Sequence, residues 1–278
     1  MLKNVKEWLY PETIEDCFEF LKKFGEKGEI VGGGLDVVWR ERNDIEALIF
    51  LEKIPLNYIK IESDFIKIGA TTTLGNIEGN KQLIDFLGGS FLNAISKIAT
   101  PILRNIMTIG GTIARGYGWS DVLTIFMTLE AKIKLFDGEY KEISIEDFFE
   151  YKKKKEKFLI YEIEIPKYNS LYHFSYIRFT RTSADIPLIN EGVLISLENN
   201  FIKKANVVLG GRPSFPIHLI EVEKFLIQKE LSDENINFAK ELAKEVQVFD
   251  DLRASKEYRR ELSSVLTKRN LMKIKEEL

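Results

Sequence analysis

Residues 104–114 read Arg-Asn-Ile-Met-Thr-Ile-Gly-Gly-Thr-Ile-Ala, and this stretch contains one of the two glycine turns on which the fold assignment depends. The other turn reads Gly-Gly-Gly-Leu-Asp over residues 32–36 and follows a short strand predicted over residues 29–31. Successive backbone amides in such turns point into one concavity, where they bind phosphate oxygens. The residue types alone also allow a second interpretation, in which both are simply tight turns of a packed α/β domain.

Neither turn matches a known nucleotide-binding motif. A G-x-G-x-x-G pattern started at Gly32 has Val37 where the third glycine should be, and no lysine follows as in a P-loop. The turns are therefore candidates for a phosphate site, without a motif that identifies the nucleotide.

The composition limits the classes of function that the chain can have. The 278 residues include 40 Lys and Arg against 43 Asp and Glu, so no strong positive field favours nucleic acid or an anionic membrane. Cys17 is the only cysteine, which excludes an intrachain disulfide and a cluster held by four thiolates of this chain. The two histidines, His173 and His218, form no compact zinc motif. Any redox chemistry therefore requires a bound organic cofactor.

The start of the chain lacks the apolar core of a secretory signal, and no apolar run is long enough to span a bilayer. We therefore expect a cytoplasmic protein with no nucleic-acid partner and no membrane insertion.

Hydrophobic spacing predicts alternating helices and strands in the first half of the chain. We predict a helix over residues 13–24 with Thr13 as its cap, and a helical stretch over residues 81–99 that Pro101 stops. Residues 158–165 alternate in the manner of an edge strand. Cys17 lies on the apolar face of the first helix, which favours a buried thiol over a nucleophile.

A change of composition over residues 166–170 indicates a domain boundary. Beyond it we predict a small antiparallel sheet of three strands, with a tight turn at Asn199 and Asn200, followed by two or three helices. Ser232 and Ser255 are predicted to cap two of these helices.

Several polar side chains near the glycine turns have two interpretations each. Asp121 either binds a ribose hydroxyl or caps the helix that begins there, and spacing alone favours capping. Arg104 and Asn105 either contact a phosphate or pair on the surface. The lysine run over residues 152–155 is interpreted as a solvated loop, since acidic residues flank it.

In order along the chain, four stretches make this sequence similar to a known family. They are residues 30–38, residues 68–74, residues 104–114 and, near the end, residues 251–266 with Asp251, Arg253 and Arg259. Together they resemble the medium, FAD-binding subunit of the molybdenum hydroxylases, the family of carbon monoxide dehydrogenase, xanthine dehydrogenase and aldehyde oxidoreductases.

The resemblance implies an α+β fold with two domains. Residues 1–167 would form an FAD-binding domain of the p-cresol methylhydroxylase type, built from two α/β subdomains. Residues 168–278 would form a C-terminal domain of the carbon monoxide dehydrogenase flavoprotein type, with a three-stranded antiparallel sheet and a helical bundle.

The resemblance also implies which residues contact FAD. Matched position by position, these are Gly32, Gly33, Gly34, Leu35, Asp36, Ile68, Thr108, Ile109, Gly110, Gly111, Thr112, Asp121, Ile160, Arg178 and Ile186. The glycine turns would hold the diphosphate through backbone amides. By this resemblance Asp121 would contact the cofactor rather than cap its helix. Arg178 would be a cation near the flavin, and Ile186 would lie close to the isoalloxazine ring. No catalytic residue and no metal ligand is implied.

Two departures from the family pattern bear on cofactor binding. Leu35 replaces a polar residue of the first turn, which removes one side-chain hydrogen bond worth about 0.5–1.5 kcal/mol. Residues 116–119 read Gly-Tyr-Gly-Trp where a proline turn is common, so Tyr117 or Trp119 is a candidate to stack on the cofactor.

The implied function is that of an oxidoreductase subunit that uses FAD for electron transfer. Electrons would come from the two-iron two-sulfur clusters of a small partner subunit, which receives them from a large molybdenum-cofactor subunit, in a dimer of heterotrimers. The acceptor would be NAD, a quinone, ferredoxin or oxygen. Leu35 and the unusual turn support an alternative, a structural or assembly subunit with weak or no FAD binding. A third possibility is a stand-alone flavoenzyme of the UDP-N-acetylenolpyruvylglucosamine reductase type.

Overall fold

The computed structural model describes residues 2–40, 42–154, 157–212 and 214–278, which form both helices and sheets. The strands are β1 (Glu7–Leu9), β2 (Gly28–Val31), β3 (Ala47–Phe50), β4 (Ile59–Ile61), β5 (Phe65–Gly69), β6 (Lys132–Phe136), β7 (Tyr140–Ser144), β8 (Leu159–Pro166), β9 (Tyr172–Phe179), β10 (Ile189–Glu198), β11 (Phe201–Gly210) and β12 (Ile217–His218). The α-helices are α1 (Ile14–Phe24), α2 (Leu35–Trp39), α3 (Leu74–Glu78), α4 (Ser90–Ser96), α5 (Pro101–Arg104), α6 (Ile109–Arg115), α7 (Asp121–Thr128), α8 (Ile145–Lys154), α9 (Ile220–Leu226), α10 (Asp233–Leu242) and α11 (Lys256–Glu277).

Two compact units account for the internal contacts of the chain. The first unit consists of Met1–Gly79, Pro101–Arg115 and Ala131–Pro166. The second consists of Asn80–Thr100, Gly116–Glu130 and Lys167–Leu278, so it includes two segments that precede the predicted boundary. The domain division at residue 167 stays a prediction.

The first unit contains two sheets. Strands β1, β3 and β2 form a parallel sheet in that order, and β4, β5, β8, β6 and β7 form a separate antiparallel sheet. Helix α1 packs Cys17, Phe18 and Leu21 into a core with residues of both sheets, among them Ile49 and Phe136. Cys17 is fully buried in this core, as predicted, and burial raises the pKa of its thiol to about 12.

Helix α1 begins as predicted, since the Thr13 hydroxyl accepts from the backbone N–H of Asp16 at 3.0 Å. Strand β8, however, is not an edge strand. It lies at the centre of its sheet between β5 and β6, with Pro166 only at its last residue. Most of its residues are buried, including Glu162 and Glu164, whose carboxylates both pair with Lys134 of β6.

Two further predictions of local structure are corrected. Pro101 does not simply stop a helix, because it is the first residue of α5, where its missing N–H costs nothing. Residues 81–99 contain 3₁₀ turns and the short α4 rather than one long helix. Lys152–Lys154 are not in a loop but end the amphipathic helix α8, while Lys155 lies outside the described residues.

The second unit is built on an antiparallel sheet with the order β12, β11, β10, β9. Its three long strands are those predicted, and the two-residue β12 adds a fourth. Asn199 and Asn200 form the turn between β10 and β11 with φ of 51° and 67°, the left-handed values that asparagine tolerates. Ser232 and Ser255 cap α10 and α11, as predicted.

Helices cover both faces of this sheet. Asn190 on β10 bonds to Thr124 of α7 at 2.8 Å, whereas its neighbour Glu191 bonds to Thr267 of α11 at 2.9 Å. Because successive strand residues point to opposite faces, α7 and α11 lie on opposite sides of β10.

Glu191 is a fully buried carboxyl whose side-chain bonds run to Thr267 and Asn270, both uncharged. Burial raises its pKa from 4.5 to about 8, although these bonds lower it. The folded state therefore keeps a proton that the unfolded chain loses above pH 4.5. We predict that the free energy of unfolding falls by roughly 1.4 kcal/mol per pH unit between pH 4.5 and 8 through this group.

Chemical denaturation across this pH range tests the prediction with Glu191→Gln, which cannot titrate. The variant should lose this component of the pH dependence and should exceed the wild type in stability at pH 8. Glu198→Gln, at the exposed end of the same strand, is the matched control and should follow the wild type. Identical pH profiles for wild type and Glu191→Gln would contradict the assignment.

Candidate functional site

The two glycine turns pack directly against each other in the first unit. A Cβ at Gly33 would lie 1.6 Å from the carbonyl oxygen of Ile106, and one at Gly32 would lie 2.8 Å from Thr108 Oγ1. No side chain fits at Gly33, so glycine is required there for the close approach of two backbones. The structure therefore brings together the two segments that the sequence singled out.

The first turn connects the buried end of β2 to α2. Gly34 has φ of 79°, in the left-handed region, and its carbonyl accepts from the N–H of Val38 at 3.2 Å. In the described part of the chain, the N–H groups of Gly33 and Gly34 donate to no backbone carbonyl. These amides can therefore bind an anion.

The second turn proves to be the start of α6 rather than an open loop. The N–H groups of Ile109 and Gly110 donate to Thr72 O and Ala70 O, both at 2.9 Å, so they face the protein and not a ligand. Thr112 is also satisfied internally, because its hydroxyl donates to Thr108 O at 2.9 Å. The Gly111 N–H makes no backbone hydrogen bond among the described residues. It is therefore the amide of this turn that is available to donate to a ligand.

A cavity of about 590 Å³ opens beside both turns within the first unit. Among the predicted site residues, those that line it are Gly32, Thr108, Gly110, Gly111 and Ile160. Its volume falls in the range that holds small-molecule ligands and cofactors. Residues of both turns and Ile160 of β8 thus line one cavity.

Other predicted residues of this unit do not line the cavity. Ile68 and Ile109 are fully buried, Leu35 is 37% exposed, and Asp36 pairs with Arg115. Gly33 and Gly34 follow Gly32, the one glycine of the first turn that lines the cavity, and the Thr112 hydroxyl is satisfied internally. These positions shape the site without forming its wall.

Charged side chains that the sequence did not single out surround the cavity. Arg115 at the end of α6 pairs with both Glu29 and Asp36. Arg42 lies 3.4 Å from Glu29, and Arg40 lies 3.7 Å from Asp36. Because α6 carries both Gly111 and Arg115, the position of Arg115 one helical turn after the glycines is the signal that identifies it as a site residue.

Arg104 is buried rather than on the surface. Its Nε and Nη2 donate to the two carboxylate oxygens of Glu78 at 2.8 and 3.0 Å, so the pair is bidentate. Asn105 lies against Gly75, where a Cβ would be 2.2 Å from its Oδ1. For Arg104, neither a phosphate contact nor a surface pair fits this geometry, because the buried guanidinium holds α5 to α3.

Asp121 belongs to the second unit and does not cap its helix. The hydroxyl of the preceding Ser120 accepts from Leu123 N at 3.3 Å and is the cap. The Asp121 carboxylate instead accepts from Tyr176 and lies 2.9 Å from Arg178 Nε. Burial raises the pKa of this carboxyl, while Arg178 and Tyr176 lower it. Two predicted site residues, Asp121 and Arg178, therefore form one buried ion pair.

Arg178 also donates to Lys97 O at 2.5 Å and to two carbonyls of the loop that contains Ile186. These two are Ser183 O at 3.2 Å and Asp185 O at 2.6 Å. Arg253 donates to Ile186 O at 2.5 Å from the other side. Ile186 itself is partly exposed, so its side chain is available for contact while its backbone is fixed.

Residues 251–266, the last of the four stretches that resemble the family and here called the C-terminal signature, hold the same loop at its far end. Arg259 is fully buried and donates to Leu188 O at 3.3 Å, Phe249 O at 3.1 Å and Asp251 Oδ1 at 2.7 Å. The signature therefore has a physical role, since two of its arginines bind carbonyls over residues 186–188.

Tyr117 and Trp119 stack on each other, with ring centroids 4.4 Å apart and planes 10° apart. Each ring thus already has an aromatic partner on one face.

Within the described ranges, no cluster of three or more His, Cys, Asp or Glu side chains is placed to hold a metal ion. The helices described there also include none with the length and apolarity needed to cross a membrane.

Both halves of the chain match known protein families. Residues 3–168 match the family described as the FAD binding domain in molybdopterin dehydrogenase. Residues 174–274 match the CO dehydrogenase flavoprotein C-terminal domain.

Characterised relatives are similar over most of their length. The glyceraldehyde dehydrogenase medium chain of Sulfolobus acidocaldarius is 29% identical over 217 residues, which cover 76% of each chain. The carbon monoxide dehydrogenase medium chain of Afipia carboxidovorans is 25% identical over 288 residues, covering 99% of this chain and 98% of the relative.

A solved chain of carbon monoxide dehydrogenase from Hydrogenophaga pseudoflava has the same fold. It superimposes with a TM-score of 0.91 at 21% identity and covers 99% of both chains. The predicted α+β fold, an FAD-binding domain followed by a domain with an antiparallel sheet and helices, is confirmed.

Proposed function

Because the chain belongs to the family of FAD-binding subunits of molybdopterin dehydrogenases, we propose that it transfers electrons within a heteromeric molybdenum hydroxylase. The chain is thus an oxidoreductase subunit with an FAD-binding domain. Bound FAD would supply the chemistry, electron transfer from the iron-sulfur clusters of a partner to an external acceptor. The residues of this chain would bind the cofactor, orient it and exclude water.

The observation that supports this proposal most strongly is the cavity beside the paired glycine turns. The amides of Gly33, Gly34 and Gly111 are the unused backbone donors of these turns, and phosphate oxygens are their natural acceptors. Thr108 and Ile160 would contact the cofactor from the cavity wall. The residues present therefore fit a cofactor that carries a diphosphate.

For the second unit we propose that Ile186 contacts the cofactor and that Asp121 and Arg178 position it. Arg178 and Asp121 neutralise each other, and Arg178 fixes the backbone on both sides of Ile186. Ile186 would then meet the flavin ring from a segment of fixed position. Arg178 acts in this proposal as a positioning residue rather than as a free cation.

The proposed partners are a small subunit with two-iron two-sulfur clusters and a large subunit with the molybdenum cofactor, in a dimer of heterotrimers. Two characterised relatives are named as medium chains, which supports membership in a complex of several subunits. A cytoplasmic location stays a prediction.

An assembly subunit with weak FAD binding is the alternative, and Leu35 supports it. Its apolar side chain is 37% exposed at the start of α2, where a polar residue could bind the cofactor. Flavin titration of the assembled complex distinguishes the two. Tight, stoichiometric FAD supports the electron-transfer subunit, whereas intact assembly without flavin supports the alternative.

The direct experiment is to purify the chain with its partners, record the visible spectrum and identify the flavin released on denaturation. A folded complex without flavin would contradict the proposed function.

Gly111→Val is predicted to lower the FAD content of the purified chain at least tenfold. A Cβ at this position would lie 2.7 Å from Thr108 Oγ1, and the rest of the valine would enter the cavity. Loss of one charge-assisted hydrogen bond from the adjacent amide costs about 1.5–3 kcal/mol, which corresponds to this change in occupancy. Gly79→Val, outside the cavity, is the control, and equal flavin content in both variants would remove Gly111 from the site.

A further inference from the structure

The charges that face the cavity of the first unit do not balance. Its lining includes four cationic side chains but only two carboxylates, Glu26 and Glu29; the cations are Arg42, Arg115, Lys152 and Lys157. A cavity with excess positive charge is suited to an anionic ligand, because a desolvated cation without a counterion is unfavourable.

The two arginines are already neutralised by the protein. Arg115 pairs with Glu29 and Asp36, while Arg42 pairs with Asp44 and Glu29. A guanidinium held by two carboxylates has little remaining attraction for another anion. The lining cations without a carboxylate partner in the described ranges are therefore the two lysines.

Lys152 is a half-buried ammonium with an unusual set of neighbours. Its Nζ donates to the backbone carbonyl of Arg115 at 2.5 Å and forms no ion pair with a described carboxylate. Its pKa is lowered by burial and then by the nearby Arg115 and Arg40, although Asp36 opposes this effect. The folded protein thus holds a positive charge in a place that favours its loss, a cost that a bound anion would offset.

Lys157 approaches the same cavity from the segment that leads into β8. Its Nζ would lie 3.7 Å from a Cβ at Gly25, three residues before the start of β2. Lys157 lines the cavity and forms no ion pair with a carboxylate in the described part of the chain. Two cations without a carboxylate partner among the described residues thus border a cavity whose wall includes the backbone donor Gly111.

We propose that Lys152, together with Lys157, forms an anion subsite that neutralises the diphosphate of the cofactor. The two positive charges match the two negative charges of a diphosphate, and they supplement the neutral backbone donors. This inference rests on the proposed function, since it requires the diphosphate to occupy the cavity beside the glycine turns. It assigns to this chain a salt-sensitive component of cofactor binding that backbone amides alone would not produce.

The test is equilibrium binding of FAD and of riboflavin to the flavin-depleted complex, measured by flavin fluorescence at 50 and 500 mM NaCl, values chosen to bracket a Debye length of roughly 10 Å. We expect Lys152→Met to raise the Kd for FAD roughly 10- to 100-fold at low salt, as expected for loss of one hydrogen bond to a charged group. The Kd for riboflavin, which carries no phosphate, should not change. Lys154→Met, exposed on the same helix, is the matched control.

The outcomes separate this inference from the proposed function. If wild-type complex binds neither FAD nor riboflavin, the proposed function fails. If wild type binds FAD and Lys152→Met binds it with the same Kd and the same salt dependence, the subsite alone is overturned. Equal weakening of FAD and riboflavin binding, or a lowered melting temperature of Lys152→Met relative to Lys154→Met, would make Lys152 a structural residue and would also overturn it.

Discussion

Gly33→Ala is expected to abolish FAD binding and to destabilise the first unit by at least about 3 kcal/mol, the upper range for overpacking a filled site. The added Cβ would lie 1.6 Å from Ile106 O, so either the turn after β2 or the segment before α6 must move. Both segments border the cavity, and a shift in either displaces the unused amides. Flavin content and denaturant unfolding of the purified chain measure the two effects.

Gly79→Ala provides the comparison for Gly33→Ala. A Cβ there would be 3.4 Å from Gly75 O, an ordinary contact, at a residue with φ of −81°. This variant should keep its flavin and lose little stability. A Gly33→Ala protein with full flavin content would show that the two turns are not as close as described.

The second large effect is expected for Arg259→Met, which should destabilise the second unit by about 3–5 kcal/mol. The substitution keeps most of the side-chain volume but leaves Leu188 O, Phe249 O and Asp251 without their buried donor. Because Leu188 follows the loop of Ile186, flavin affinity should fall as well if that loop contacts the ring. Thermal unfolding followed by circular dichroism measures the stability change.

Arg260→Met is the matched control for Arg259→Met. Arg260 is exposed and donates to Val246 O at 3.3 Å, so its loss should cost less than about 1 kcal/mol. Equal melting temperatures for the two variants would show that the buried guanidinium does not stabilise this unit. Arg259→Lys keeps the charge without the planar fork and should give an intermediate value.

Local features of the fold were predictable because neighbouring residues determine them. The Thr13 cap depends on an amide three residues away, and the turn at Asn199 and Asn200 depends on backbone angles that asparagine tolerates. The paired glycine turns could also be identified, since few other residues allow such close approach of two backbones. For each of these features, the necessary chemistry is contained in a short stretch of sequence.

Features that depend on distant residues were not predictable in the same way. Strand β8 is central because of its pairing with β5 and β6, and nothing within the strand specifies those partners. Lys152 was interpreted as solvated, but it is half-buried, and the charges of Arg115 and Arg40, which also lower its pKa, come from earlier segments. The sequence signal for the burial of Lys152 was its spacing from Phe148 on α8, because this spacing places the lysine one helical turn after a buried aromatic residue.

The division of the chain into interleaved units has a consequence for its synthesis. Helix α7, whose residues are all buried, emerges from the ribosome before the strands β10 and β11 on which it packs. Until those strands are made, Val122, Leu123 and Phe126 have no partner surface and are exposed to aggregation. Nascent chains of this protein should therefore need protection by a chaperone over residues 116–130, and a truncated product ending near residue 167 should be insoluble for the same reason.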